Sequence, residues 1–356
     1  MLVVDAHQDI AYNYTVYGRD YREGVYAKRR REASGKPWIA TVGLPDALRG
    51  RVGVVFATLF AAPTGNKWME VPDTERTYST PREAYEIALQ QMDYYQRLAD
   101  EDERVRLLLT AADLDAVLET WQEGKEFDQH RQGMALLMEG ADPIIEPKQF
   151  EEWYERGVRI VGLAWTATRY AGGTGAPGSL TDLGRELLDV LASFNVVLDL
   201  SHSAEQAFLE ALDRYGGQSI IASHSNPRHF RDSDRHLSDD MIRRLAERDG
   251  VMGIVLYNRF LSNTWSKGDK RSSVPYTVAV EAIDYVCQLV GSAAHVGIGS
   301  DFDGGFGAES SPDGLDTVGD LWQIGAALLE RGYDATAVDA IMGGNMLRKL
   351  RQVLAE

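Results

Sequence analysis

The sequence predicts an α/β fold, a (β/α)8 TIM barrel with enlarged loops after its first strands, and three observations lead there. Short apolar, β-branched runs recur from one end of the chain to the other. Segments with apolar residues at three- and four-residue spacings lie between most of them, the alternation of a parallel sheet covered by helices. No Gly-x-Gly-x-x-Gly turn follows the first run, so the usual mark of an open dinucleotide-binding sheet is missing.

The candidate strands are 2–6, 53–60, 105–110, 134–139, 158–164, 196–200, 219–223, 250–256 and 295–300. Nine is one too many for an eight-stranded barrel, and 105–110 is expected to be the extra, because it leads straight into a helical run at 111–121. Helices are expected over 82–99, 180–193, 204–213, 238–248, 277–290 and 315–331, each with an apolar stripe. Two stretches look irregular, 10–50 and 61–81, and both follow candidate strands. In a barrel they would be enlarged loops on the face that carries active sites. The first holds a basic cluster, Lys28-Arg29-Arg30-Arg31, expected to be a solvated face without a role. No composition break, repeat or low-complexity tract divides the 356 residues, so residues 1–356 are expected to form a single domain.

Composition narrows the class of function. Acidic residues outnumber basic ones by 54 to 37, a formal charge of −17, which disfavours nucleic acid and anionic membrane surfaces as partners. No apolar run reaches the ~20 residues of a membrane-spanning helix. The single cysteine, Cys287, sits among apolar neighbours and reads as a core position. The start, Met1-Leu2-Val3-Val4-Asp5-Ala6-His7, lacks the basic and long apolar regions of an export signal, and a cytoplasmic, soluble protein is expected.

The chemistry lies in where metal-ligand residue types fall relative to the strands. His7 and Asp9 form a His-x-Asp pair as the first strand ends, and alternate residues of an extended segment point the same way. Glu139 closes Ala135-Leu136-Leu137-Met138-Glu139, with Gly140 behind it. His202 follows Val196-Val197-Leu198-Asp199, His224 ends Ser219-Ile220-Ile221-Ala222-Ser223-His224, and Asp301 follows the run that begins at His295. In a parallel barrel all strand C-termini open on one face, so these distant residues converge there. Their mix of imidazole and carboxylate suits zinc, and six candidates are enough for two ions. Singly, each has a plainer reading: a hydrogen-bonded structural histidine, or an acid capping the next helix. Together they are harder to dismiss, since three of seven histidines follow apolar strands. His130, His229, His236 and His295 are expected to be peripheral or structural.

The chain resembles the membrane dipeptidase (renal dipeptidase) family within the amidohydrolase-like superfamily. The matching motifs are Asp5-Ala6-His7-Gln8-Asp9, Met138-Glu139-Gly140, Asp199-Leu200-Ser201-His202-Ser203, Ser223-His224-Ser225-Asn226, Arg235-His236-Leu237-Ser238-Asp239-Asp240, Gly297-Ile298-Gly299-Ser300-Asp301-Phe302-Asp303-Gly304 and Gly343-Gly344-Asn345-Met346-Leu347-Arg348. They run in the family's order. The resemblance implies two zinc ions, the first on His7 and Asp9, the second on His202 and His224, with Glu139 bridging. It implies Asp301 as the proton carrier, Arg235 as the group that binds the substrate's terminal carboxylate, and Tyr257 near the same pocket. One departure stands out: where mammalian members carry a histidine, this chain has Leu163-Ala164-Trp165-Thr166, and tryptophan cannot take up a proton.

The implied activity is hydrolysis of dipeptides with a free C-terminal carboxylate, by water activated between two metal ions. A binuclear hydrolase of another small amide or an N-acyl amino acid is the alternative, and a catalytically silent scaffold the third reading. The resemblance makes a homodimer plausible. Asp303 and Gly304 are expected to shape the loop after the last strand rather than touch substrate.

Overall fold

The computed structural model describes residues 1–32, 36–66 and 76–355. Eight parallel strands close into a barrel: β1 (Val3–Gln8), β2 (Val52–Phe60), β3 (Gln132–Glu139), β4 (Val158–Gly162), β5 (Val197–Asp199), β6 (Ile220–Ser225), β7 (Val251–Ile254) and β8 (Val296–Ile298). Each pairs with its sequence neighbour, and Asp5 opposite Ile298 closes β8 onto β1. Every position of these eight strands is buried, the barrel interior on one side and the helices on the other. That is why they read as continuous apolar runs rather than alternating ones.

The ninth candidate lies outside the ring, as expected. Val105–Leu107 pairs in parallel with Gln132, Gly133 and Met134, and from Leu136 onward β4 takes over the same edge of β3. Hydrogen bonding beyond Met134 is thus reserved for the barrel, and the chain leaves at Thr110 into helix Ala111–Glu119.

The outer helices start where capping chemistry allows. Pro81–Glu101 and Ala111–Glu119 open with capping boxes, Thr80 with Glu83 and Thr110 with Asp113. Thr181 and Ser238 cap Asp182–Ser193 and Asp239–Glu247. Glu205–Arg214 and Thr277–Val290, which carries the buried Cys287, complete the expected set. The last expected helix begins later than 315, at Trp322, because Thr317 caps a separate 3-10 turn over Val318–Asp320. No helix among the described residues is long and apolar enough to cross a membrane.

The stretch 10–50 is irregular only in part. It contains helices Ile10–Tyr17, Val25–Arg31 and Leu44–Arg49, too short for periodicity to reveal. The basic cluster is correspondingly not a solvated face throughout. Lys28 is buried and donates from Nζ to the Val42 carbonyl at 2.7 Å, and Arg29 donates to the Ala40 carbonyl and to Asp316. Only Arg30 and Arg31 face solvent. In the second stretch, Ala62–Pro63 pairs with Thr77–Tyr78, while 67–75 lie outside the described residues. After β4 an antiparallel hairpin, Ala171–Gly173 with Ala176–Leu180, reaches across the mouth towards β5 and β6.

Candidate metal centre

The strand ends place the six expected residues together. His7 lies on β1, Glu139 is the last residue of β3, His224 is on β6, and Asp9, His202 and Asp301 follow β1, β5 and β8. Around the Glu139 carboxylate, His7 Nε2 stands 3.5 Å from Oε2, while His202 Nε2 and His224 Nε2 stand 3.3 and 3.4 Å from Oε1. His7 Nε2 is also 3.8 Å from Asp9 Oδ1 and 3.9 Å from Asp301 Oδ1. The His202 and His224 Nε2 atoms approach to 3.0 Å, and the His7 and His224 rings stack with centroids 3.5 Å apart.

Backbone conformation argues against the plainer readings. Asp9 is at the N-cap position of Ile10–Tyr17, yet its side chain makes no cap and instead accepts the Thr58 hydroxyl hydrogen bond. His202 and Asp301 adopt left-handed φ values of 63° and 59°, a conformation that costs a non-glycine residue energy and collects at functional sites.

Three carboxylates and three imidazoles packed this way could hold a cation. Fully buried, His7 has no hydrogen-bond partner on either ring nitrogen among the described residues, a costly omission unless a ligand fills it. Burial pushes the His7 imidazole down, but the Glu139, Asp9 and Asp301 carboxylates outweigh it and raise its pKa to about 10. Burial and the nearby Glu139 charge raise Asp9, and burial above all raises Asp301 well beyond the carboxylate range. His202 and His224 are pushed far down by burial, helped by the positive charges of Arg235 and His7. The donor set and its burial fit divalent ions: His7, Glu139 and His224 form one group of converging ligand atoms, and His7, Asp9 and Asp301 a second.

Arg235 is neither a surface residue nor a helix cap, since Ser238 caps the following helix. It is 6% exposed, donates to the His224 carbonyl at 2.8 Å and to Ser225 Oγ at 3.3 Å, and among the described residues has no carboxylate within 4.0 Å. Tyr257 is one ring removed: Phe260 lies under the Arg235 guanidinium and 5.0 Å from Tyr257, which stacks on Phe306. Trp165 stands 6.0 Å from His202 and 5.0 Å from Phe60, a half-buried wall beside the ligands. Of the other histidines, His229 is exposed and His130 and His295 half-buried, whereas His236 is buried against Phe260. Asp303 holds its loop as expected, accepting from Thr41 N–H, Thr41 Oγ and Val42 N–H, with Arg19 3.6 Å away.

Several supporting residues escape sequence reasoning. Thr58 on Asp9, Thr174 on His202 Nδ1 at 3.0 Å, and Ser223 on His224 Nδ1 at 2.8 Å hold candidate ligands from behind. Ser223 is adjacent to its histidine and could have been suspected; Thr174, on the hairpin 28 residues away from its partner, gives no signal.

The sequence matches the profile of the membrane dipeptidase family, peptidase family M19, over residues 1–355. The chain belongs to that family. Among relatives of this dipeptidase-family member, an uncharacterized protein in the pqqA 5' region of Klebsiella pneumoniae is 32% identical, covering 77% of this chain and 99% of its own length. The probable dipeptidase PvdM from Pseudomonas aeruginosa shares the fold at a TM-score of 0.79 with 21% identity, over 99% of this chain and 95% of that one. A metallo peptidase from Rhodobacter sphaeroides, solved with a phosphinate mimic of the dipeptide L-Ala-D-Ala, superposes at a TM-score of 0.78 with 21% identity and 99% coverage of both chains. The family is one of metal-dependent dipeptidases, and this member brings three histidines and three carboxylates together at the mouth of its barrel.

Proposed function

We propose that this metal-dependent dipeptidase cleaves dipeptides with a free C-terminal carboxylate at a two-zinc centre, His7 and Asp9 on one ion, His202 and His224 on the other. The observation that carries this reading is the division of Glu139: Oε2 faces His7 and Oε1 faces His202 and His224, the arrangement a carboxylate shared by two ions needs. Two divalent ions held there supply a Lewis acid for the scissile carbonyl and lower the pKa of water towards neutrality.

The protein's own groups do the rest. Asp301, held in its left-handed turn 3.9 Å from His7 Nε2, takes a proton from the attacking water on Oδ1 and returns it to the leaving amine nitrogen. Arg235 anchors the substrate carboxylate with a two-pronged hydrogen bond, filling the partnership its buried guanidinium otherwise lacks. The mimic bound to the Rhodobacter protein supports a substrate of dipeptide size.

The test is metal analysis of the purified protein followed by assay of dipeptides with L or D residues at the C-terminal position, with and without chelator. Two equivalents of zinc and chelator-sensitive cleavage are expected. Activity confined to other small amides or N-acyl amino acids would overturn the substrate, and protein without metal would overturn the centre.

A further inference from the structure

We propose that Asp199 is a positioning residue for His224, acting through the Ser223 hydroxyl to fix which ring nitrogen carries the proton. The inference rests on the metal-centre reading above, because it concerns which nitrogen is left free to face an ion.

The geometry is a three-member chain. Asp199 at the end of β5 is buried, and its Oδ1 accepts the Ser223 N–H at 2.8 Å and the Ser201 N–H at 3.0 Å. Its Oδ2 accepts the Ser223 hydroxyl at 2.5 Å. A carboxylate only accepts, so the Ser223 hydrogen points at Asp199 and the lone pairs of Oγ are what His224 Nδ1 meets at 2.8 Å. His224 is thereby the Nδ1–H tautomer, and its Nε2 lone pair faces Glu139 and His202. Ser201 completes the surroundings: its Oγ accepts the His224 N–H at 3.0 Å and lies 3.3 Å from Ser223 Oγ.

The same clamp occurs a second time. Asp5 on β1 accepts the Ser300 N–H at 2.7 Å and the Ser300 hydroxyl at 2.5 Å, across to β8. In both cases the serine precedes a site residue, His224 or Asp301. Only the β5–β6 copy has an imidazole behind the hydroxyl, so only that copy can select a tautomer. Partners of this kind on metal-binding histidines are worth roughly 10- to 100-fold in metal affinity.

Asp199→Asn tests the chain without changing its shape. With the amide oxygen kept on the two N–H groups, the amide nitrogen becomes a donor towards Ser223 Oγ. The hydroxyl hydrogen must then turn away, and the nearest group able to take it is His224 Nδ1, whose own proton moves to Nε2; Ser201 Oγ is farther and already accepts the His224 N–H. His224 becomes the Nε2–H tautomer, blocked towards metal.

Zinc titration of the metal-free protein against a chromophoric chelator should show two ions for wild type and at least a 10-fold weakened second ion for Asp199→Asn. Adding Ser223→Ala to Asp199→Asn removes the misdirected hydroxyl and should restore part of that loss; a purely structural role would make the double variant worse. Wild-type affinity in Asp199→Asn, or a double variant weaker than the single one, overturns the proposal. Histidine nitrogen NMR of the metal-free wild type gives a readout that needs neither zinc nor folding of the variants: a protonated Nδ1 on His224 is expected, and a protonated Nε2 overturns it. Wild-type protein that binds no zinc but shows the expected tautomer would instead defeat the metal reading.

Discussion

Replacing Arg235 by methionine separates what the guanidinium does for substrate from what it costs the fold. The side chain is 6% exposed and its two hydrogen bonds go to neutral acceptors, the His224 carbonyl and Ser225 Oγ. Burial already pushes its pKa down, with Asp301 and Glu139 acting against that from a distance. An uncompensated buried cation is a burden in the free protein, so Arg235→Met should leave the melting temperature unchanged or raise it. Against a substrate carboxylate the balance reverses: loss of one partner of a buried, hydrogen-bonded charge pair costs about 2–5 kcal/mol, a drop of roughly 30- to 5000-fold in kcat/KM. The assay compares a dipeptide with its C-terminal amide on both proteins. Wild type should prefer the free acid by that margin, and the variant should treat the two nearly alike. Equal losses on acid and amide, or a wild type indifferent to the carboxylate, would refute the reasoning.

Other consequences are equally direct. Asp301→Asn should lower kcat by about 10²–10⁴ with little change in KM, the size of a lost general acid–base group; steady-state kinetics on the metal-loaded variant decide it. Because His7 in the metal-free protein holds its proton up to about 10, zinc uptake near neutrality should release that proton, read by calorimetry in buffers of different ionisation enthalpy. The same raised pKa stabilises the metal-free fold fully below the ordinary histidine range and is lost as pH rises towards 10, so the metal-free melting temperature should fall as pH rises from about 6.5 to about 8. Lys28 works in the opposite sense: burial lowers it to about 8 from 10.5, the unfolded chain holds the extra proton between those values, and its contribution to stability should rise with pH there, offsetting the loss from His7 in the metal-free protein up to about 10. Lys28→Met should remove that contribution, so the stability difference between variant and wild type should change by on the order of 3 kcal/mol over the interval, measured by denaturant titration of both proteins.

The barrel was legible because its strands are buried on both faces. Runs such as Val52–Phe60 and Gln132–Glu139 are apolar nearly throughout, and even the ninth strand could be set aside from its immediate descent into a helix. The convergence of the candidate ligands was legible because the fold gives strand ends a common address. What escaped shares a different property. Helices Ile10–Tyr17, Val25–Arg31 and Leu44–Arg49 are one or two turns long, and their burial against the barrel is decided by tertiary contact. Lys28 looked solvated because it sits among arginines, yet its amine reaches a carbonyl fourteen residues away. Thr58, Thr174 and Asp199 carry ordinary residue types in ordinary places, and only the fold brings the first two to Asp9 and His202 and the third to the serine beside His224.

The hairpin after β4 has a consequence of its own. Its turn holds His202 through Thr174 and, one residue on, Gly175 N–H grips Asp234, the immediate neighbour of Arg235. One short ribbon therefore spans the groups proposed for catalysis and for recognition. A chain that altered this turn to admit a new substrate would disturb the imidazole with the same stroke, so diversification of this enzyme is easier from walls such as Trp165 than from the ribbon itself.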